Sequence, residues 1–229
     1  MIRDNLARIL ATIARSAKKA GRRPEEVKLV AVSKTVGVEP ILAAVHSGQM
    51  VFGENYLQEA ASKIPLLPAA LQWHFIGHLQ SNKARQAAEL FEVIETVDRW
   101  KLAVALDSHA RSLHKNLSIL VQVNIGREPQ KSGVLPEEAE ALLSRVAGET
   151  SLRVLGLMAM PPYFPDPEKS RPYFRELRQL AQRLATLNLF TDNTRVDLSM
   201  GMSNDYSIAI EEGATLVRVG TALFGSRQP

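Results

Sequence analysis

Cysteine is absent from the 229-residue chain, and long hydrophobic runs are absent as well. Without cysteine there is no disulfide framework, no thiolate nucleophile and no cysteine-ligated zinc site. The first residues, MIRDNLARILATIARS, carry charges every few positions instead of the apolar core of a signal peptide. No stretch approaches the roughly 18 apolar residues of a membrane-spanning helix. These absences predict a soluble, cytoplasmic protein.

Aromatic residues are few, at 6% of the chain, and they are scattered. They could not form stacking platforms for nucleic acid among the basic residues. Residues 1–23 hold seven lysines and arginines against one acidic residue, which is also typical of a helix that binds nucleic acid or a membrane surface. An apolar stripe at helical spacing runs through the same segment, at Leu6, Ile9, Leu10 and Ile13. We therefore predict a helix packed on the protein body, with no nucleic-acid or membrane partner.

Short apolar runs alternate with longer amphipathic segments along the whole chain, which is the pattern of strand followed by helix. The predicted strands are residues 28–34, 50–55, 73–77, 93–97, 117–124, 152–160, 195–201 and 215–220. Eight such units are the number that closes a barrel. The sequence therefore predicts the α/β class, with one (β/α)8 TIM barrel over residues 1–229 and an extra N-terminal helix.

Glycines also mark predicted helix ends, with Gly48, Gly148 and Gly213 standing where C-caps are expected. A doubly wound open sheet is the alternative fold. That fold usually carries a glycine-rich phosphate loop after its first strand. Here the corresponding segment is SKTVGVE, which matches neither of the common phosphate-loop patterns.

The first predicted strand, LVAVSK, is a buried apolar run that ends on Lys34. In a barrel of this kind the active site lies at the carboxyl ends of the strands. A desolvated lysine near another cation such as Arg218 has a lowered pKa and can form a Schiff base with a carbonyl compound. The plain alternative is a lysine that reaches solvent or pairs with Glu54.

The loops after the seventh and eighth strands, MGMSN and VGTA, are suited to binding phosphate. Ser203 could cap the following helix, Gly220 allows close backbone approach, and Thr221 offers a hydroxyl. The alternative is that Gly201 and Gly220 only terminate strands.

Arg218 lies inside the last predicted strand, where an unpaired guanidinium would be costly. The pattern alone favours an ion pair with a carboxylate such as Glu54 or Asp197 over a contact with a bound ligand. A lysine, a phosphate cluster and a buried arginine together fit a phosphorylated aldehyde. Pyridoxal phosphate (PLP) and the sugar phosphates of Schiff-base aldolases are both such compounds.

His74 and His78 have the i, i+4 spacing of a metal-binding pair on a helix. The segment WHFIGHL is instead typical of a strand followed by a turn. No metal site is predicted.

Several blocks of the sequence occur together in one known family. AVSKT, FGENYLQE, WHFIGHLQSNK, LMAM, LSMGMSNDYSIAI and VRVGTALFG, spread from about residue 3 to residue 227, closely resemble the pyridoxal phosphate homeostasis protein family. Those PLP-binding proteins are similar to the N-terminal barrel of bacterial alanine racemase. The resemblance implies that Lys34 is the Schiff-base lysine and that Arg218 faces the pyridine nitrogen. It also implies a cofactor site formed by Lys34, Asn55, His74, Met200, Gly201, Ser203, Arg218, Gly220 and Thr221.

Two arguments then point away from catalysis. An arginine cannot accept a hydrogen bond, so in the position that the resemblance implies it leaves the pyridine nitrogen unprotonated and weakens the ring as an electron sink. Racemases with this barrel share that arginine, so it alone does not exclude an enzyme. Two-base racemization needs a proton-transfer group on each face of the substrate, and Lys34 supplies one. The racemases that the barrel resembles carry a second, β-rich domain that helps to form the site and the dimer, whereas eight strand–helix units use up this chain.

We therefore expect a monomeric carrier and buffer of PLP, with little or no catalysis, that passes the cofactor to PLP-dependent apoenzymes. The alternatives are a PLP-dependent amino-acid racemase or lyase that uses Lys34 with His74 or Tyr56, a Schiff-base aldolase, and a module that associates with RNA or a membrane.

Overall fold

Eight parallel strands close into a barrel whose strand order follows the chain, in a computed structural model that describes residues 1–225. The strands are β1 (Lys28–Val32), β2 (Val51–Glu54), β3 (Gln72–Phe75), β4 (Val93–Val97), β5 (Ser118–Val123), β6 (Arg153–Ala159), β7 (Asp197–Ser199) and β8 (Leu216–Val219). The predicted fold class and all eight predicted strands are confirmed. Residues 226–229 of the predicted domain lie outside the described residues.

Helices alternate with these strands and surround the barrel. They are α1 (Ile2–Lys19), α2 (Val38–His46), α3 (Leu57–Lys63), α4 (Ala84–Leu90), α5 (Trp100–Ser112), α6 (Ala139–Glu149), α7 (Arg171–Thr186), α8 (Tyr206–Glu211) and α9 (Thr221–Phe224). Single 3-10 turns cover Pro24–Glu26, Ile64–Leu66, Ser81–Lys83 and Pro167–Ser170. None of the helices within residues 1–225 combines the length and apolarity needed to cross a membrane.

The extra N-terminal helix packs on the barrel as predicted. α1 lies against α8 and α9 and buries Leu6, Ile9 and Ile13. Leu10 is 47% exposed, so its assignment to the packed stripe was wrong. The reason is the angular position of Leu10, which follows Ile9 directly and so turns about 100° away from it around the helix axis.

Two of the three predicted glycine caps are confirmed. Gly48 and Gly213 follow α2 and α8 with φ values of +98° and +105°, a backbone conformation that glycine adopts without strain. Gly148 lies inside α6, which continues to Glu149, so this predicted helix end was wrong.

The barrel interior contains a small apolar cluster of its own, separate from the core between strands and helices. The cluster consists of Val30, Leu120, Met158 and Leu216. Alternate residues of a strand face the same side, so Arg218 points inward with Leu216, and Ser199 does so beside Met158. The barrel therefore encloses polar side chains next to its apolar layer.

Candidate functional site

The carboxyl end of β1 carries Lys34, two residues beyond the last residue of the strand. β1 pairs with β2 with Val32 opposite Gly53, so continuing the two chains places Lys34 beside Asn55. Both residues are half-buried. The predicted lysine and asparagine are thus neighbours on the barrel rim at which active sites of this fold lie.

The predicted glycine and hydroxyl cluster lies on the other side of β1. β1 also pairs with β8, so Gly220 and Thr221 follow β8 next to the end of β1. The Arg218 backbone N–H donates to the Gly201 carbonyl oxygen at 3.0 Å, which ties the loop after β7 to β8. The ends of four adjacent strands, β7, β8, β1 and β2, therefore bring these residues to one rim.

Gly201 occupies a place where only glycine fits. Its φ is +90°, and a Cβ atom there would lie 2.5 Å from Cβ of Ala209 and 2.9 Å from Cα of Tyr206. Any side chain would be strained and would collide with α8. The loop after β7 can therefore pack tightly against α8 while it connects to the rim.

Ser203 contacts a different helix from the one predicted. Its Oγ accepts a hydrogen bond from the Ala222 N–H at 3.4 Å, in the first turn of α9. The prediction that Ser203 caps the following helix, α8, was wrong. Asp205 precedes α8 and accepts the Met202 N–H at 2.7 Å, so the aspartate fixes this turn. Ser203 is left beside Thr221, which strengthens the hydroxyl cluster.

Met200 is brought to the rim by its backbone alone. Its side chain is fully buried in the main apolar core, and its N–H donates to the Leu216 carbonyl oxygen at 3.1 Å. Met200 therefore stabilises the loop after β7 through core packing and a backbone hydrogen bond.

Arg218 belongs to a buried hydrogen-bonded chain across the barrel interior. Its Nη1 donates to Ser199 Oγ at 2.6 Å, and its Nη2 donates to the Ala159 carbonyl oxygen at 3.0 Å. Ser199 Oγ donates to Glu95 Oε2 at 2.5 Å, and the other carboxylate oxygen of Glu95 lies 2.6 Å from Nδ1 of His74. Five strands, β3, β4, β6, β7 and β8, are joined by this chain.

The charge that balances Arg218 is therefore Glu95, whose Oε2 lies 4.0 Å from Nη1. The predicted pairing with Glu54 or Asp197 was wrong. Glu54 faces the helices outside the barrel and Asp197 accepts from Thr215 Oγ1 at 2.9 Å. Burial would raise the pKa of the Glu95 carboxyl, but His74 and Arg218 outweigh it and hold that pKa below its ordinary value.

Glu95 was missed in the sequence although a signal was present. It stands in the apolar run VIETV, every residue of which is buried. A glutamate in such a strand needs a partner inside the protein. The partners of Glu95 come from three other strands, His74 of β3, Ser199 of β7 and Arg218 of β8, so its own strand could not identify them.

A second buried network holds the segment that carries Lys34. Lys63 Nζ lies 2.7 Å from Glu54 Oε1, 2.7 Å from Glu59 Oε1 and 2.7 Å from the Ser33 carbonyl oxygen. Ser33 Oγ donates to Glu54 Oε1 at 2.5 Å. Burial raises the pKa of Glu54, against the opposing effects of Lys63 and Ser33. Lys63 thereby fixes the chain on which Lys34 is mounted.

Replacing Lys63 by methionine should lower the free energy of unfolding by about 2 kcal/mol at neutral pH, because Glu54 loses its cation. Without Lys63 the pKa of Glu54 rises further. The stability due to protonated Glu54 is then present below its ordinary pKa of 4.5 and is lost as the pH rises through the folded-state pKa. Urea unfolding at about pH 4 and about pH 7 should therefore show the larger loss at pH 7.

The exposed Lys169 provides the control for this measurement, since Lys169→Met should change stability by less than about 0.5 kcal/mol. An equal loss in the Lys63 and Lys169 variants, or a Lys63 effect independent of pH, would contradict the role given to Lys63.

The two histidines of WHFIGHL do not come together. His74 is bonded to Glu95 inside the barrel, whereas His78 Nδ1 lies 3.1 Å from Ser132 Oγ on the surface. Within residues 1–225, no group of three or more histidine, aspartate or glutamate side chains is placed to bind a metal ion.

The rim offers the groups that a phosphorylated aldehyde requires. Lys34 supplies an amine, Ser203 and Thr221 supply hydroxyls, and the first turn of α9 supplies N–H groups that have no acceptor within the helix. Asn55 Oδ1 is buried and has no hydrogen-bond partner within residues 1–225. The residue types and their placement on adjacent strand ends therefore fit PLP.

Comparison with known proteins extends over almost the whole chain. The family model described as alanine racemase, N-terminal domain, matches residues 5–228. A pyridoxal phosphate homeostasis protein from Vibrio cholerae is 42% identical over 231 residues, covering 99% of this chain and 96% of that protein. One from Escherichia coli K12 is 43% identical and covers 99% and 97% of the two chains.

Solved structures agree with this relationship. PipY of Synechococcus elongatus with PLP bound is 35% identical, with a TM-score of 0.83 over 98% of this chain and all of that one. Alanine racemase from Bartonella henselae is 13% identical, with a TM-score of 0.67 over 96% of this chain and 61% of that one, and shows the shared barrel fold alone. By this full-length similarity to its relatives, the chain belongs to the pyridoxal phosphate homeostasis protein family.

Proposed function

We propose that this protein binds pyridoxal 5′-phosphate at the carboxyl-end rim of the barrel and acts as a carrier and buffer of the cofactor. The observation that carries the proposal is the placement of Lys34 between Asn55 on one side and the Gly220–Thr221 turn on the other. The names of the full-length relatives and the PLP bound to PipY support the same cofactor.

Each rim group has a distinct part in this proposal. PLP supplies an aldehyde that condenses with a lysine amine, and in this proposal that lysine is Lys34. Ser203, Thr221 and the backbone N–H groups of Gly220 and Thr221 bind the phosphate, with the Ala222 N–H holding Ser203 Oγ in place. Arg218 lies toward the ring nitrogen with Ser199 and Glu95 fixing its guanidinium. Because arginine only donates hydrogen bonds, it keeps that nitrogen unprotonated.

Weak or absent catalysis follows from what stands near Lys34. A racemase needs a second proton-transfer group opposite the lysine. His74 is engaged with Glu95 below the rim, and Tyr56 is 54% exposed, so neither is held in a defined position next to substrate. The proposal also includes a cytoplasmic, monomeric protein that delivers PLP to apoenzymes.

The proposal is tested by mixing the purified protein with PLP, dialysing it and recording the visible absorption, followed by addition of alanine in deuterated water. We expect a retained chromophore and exchange of the alanine Cα proton well below about 1 per second, the lower end of ordinary enzyme turnover. Protein without PLP provides the background rate.

Two outcomes would overturn the proposal in different ways. Exchange above that rate would make the protein a racemase or lyase. Absence of a retained chromophore, together with binding of a sugar phosphate, would make it an aldolase.

A further inference from the structure

The amino-terminal mouth of the barrel, at the opposite end from Lys34, contains a pocket of about 320 Å³. Its lining includes the first residue of seven strands, among them Lys28 of β1, Arg153 of β6 and Asp197 of β7. Its inner wall includes Leu120 and Leu216 of the barrel-interior cluster. A pocket of this size lies at the small end of the range for small-molecule sites.

His74 is the buried polar side chain of this pocket. The residue is 6% exposed and lines the pocket, and its Nδ1 lies 2.6 Å from Glu95. Within residues 1–225, Nε2 of the same ring has no hydrogen-bond partner, and this atom is accessible to solvent. One nitrogen of His74 is thus committed to Glu95, and the other remains available to the pocket.

Most of the other charges around the pocket are accounted for by the fold. Lys115 Nζ donates to the carbonyl oxygens of Ala88 and Phe91 at 2.9 and 2.7 Å, at the end of α4. Glu92 accepts the Trp73 N–H at 2.7 Å. Lys115 and Glu92 therefore have partners within the barrel, and their charges are used in holding its strands and helices together.

Lys28 and Arg153 remain. In the part of the chain that the structure describes, neither side chain makes a hydrogen bond or an ion pair, although Asp197 lines the same pocket. Lysine, a point charge, and arginine, a planar fork of donors, are the two side chains that bind carboxylate and phosphate groups. Two cations without partners thus stand at the opening of a pocket that holds an available imidazole nitrogen.

We propose that the amino-terminal mouth of the barrel binds a small oxyanion, of the phosphate or carboxylate class, between Arg153, Lys28 and His74. The anion takes the guanidinium and ammonium donors at the opening. Nε2 of His74 forms a further hydrogen bond to the anion from the pocket wall. This mouth lies at the opposite end of the barrel from the carboxyl-end rim, and the proposal does not rest on PLP binding there. The chain from His74 through Glu95 and Ser199 to Arg218 connects the two ends.

The test follows the ring resonances of His74 by nuclear magnetic resonance while the full-length protein is titrated with inorganic phosphate or with malonate. Sodium chloride at equal ionic strength is the control for screening. We expect both oxyanions, but not chloride, to shift the His74 resonances with saturation. Tighter binding of phosphate would identify a phosphoryl group as the preferred ligand, and tighter binding of malonate a carboxylate.

Variants separate this mouth from the rest of the protein. Arg153→Gln and Lys28→Gln should each weaken binding about tenfold, the effect of one charged hydrogen bond. Arg3→Gln removes an exposed arginine of α1 and should bind like the wild type. Ser203→Ala should also keep the His74 response, because Ser203 belongs to the opposite rim. An identical response to chloride, or unchanged binding in Arg153→Gln and Lys28→Gln, would overturn the proposal.

Discussion

Lys34→Ala protein that has been mixed with PLP and dialysed should show none of the visible absorption that the wild type retains. The amine of Lys34 is the group that we propose attaches to the aldehyde of the cofactor. The phosphate-binding turn stays in place in this variant, so PLP should still bind reversibly, and dialysis should remove it. The expected effect is complete loss of covalently held cofactor, measured by absorption after dialysis.

Lys28→Ala is the matched control, because Lys28 stands at the opposite end of the same strand. It should retain the chromophore of the wild type. Lys34 follows the strand and is half-buried, so Lys34→Ala should unfold within a few degrees of the wild-type temperature. An unchanged unfolding temperature shows that the absorption is lost because the lysine is absent and not because the protein is unfolded. Retention of the full chromophore in Lys34→Ala would show that another lysine is attached and would contradict the assignment.

The placement of Lys34 could be predicted because it depends on local pattern. A continuous apolar run followed by a charged residue identifies a buried strand and its end, and the fold class then assigns that end to the functional rim. The eight strands were predicted for the same reason. Strand ends were less accurate, since the first strand stops at Val32 and the seventh covers only Asp197–Ser199.

Partners across the barrel could not be predicted in this way. The alternation of residues shows that Arg218 points inward, but it does not show the register of β8 against β4. Register and barrel tilt decide which inward side chains meet. Glu95 and Ser199 are 104 residues apart in the sequence and still share a hydrogen bond. Ser203 illustrates the same limit, because its contact with α9 depends on how two successive loops pack together.

Glu95→Gln should lower the free energy of unfolding by about 3–5 kcal/mol, the cost of leaving one partner of a buried ion pair alone. The substitution keeps the shape of the side chain and removes only its charge. Glu54 can take up a proton when it loses Lys63, but the Arg218 guanidinium stays charged even though burial lowers its pKa. The loss should therefore exceed that of Lys63→Met, and urea unfolding of both variants in the absence of PLP measures the difference.

A double-mutant cycle identifies Arg218 as the cause. Combining Glu95→Gln with Arg218→Met removes the stranded charge, so the double variant should be more stable than Glu95→Gln alone. The exposed pair Arg145–Glu149, 3.3 Å apart, gives the comparison, since Glu149→Gln should cost less than about 1 kcal/mol. If Glu95→Gln cost no more than Glu149→Gln, the buried chain would not hold Arg218. Some other contact would then have to hold the Arg218 side chain in the position in which we propose that it faces the cofactor.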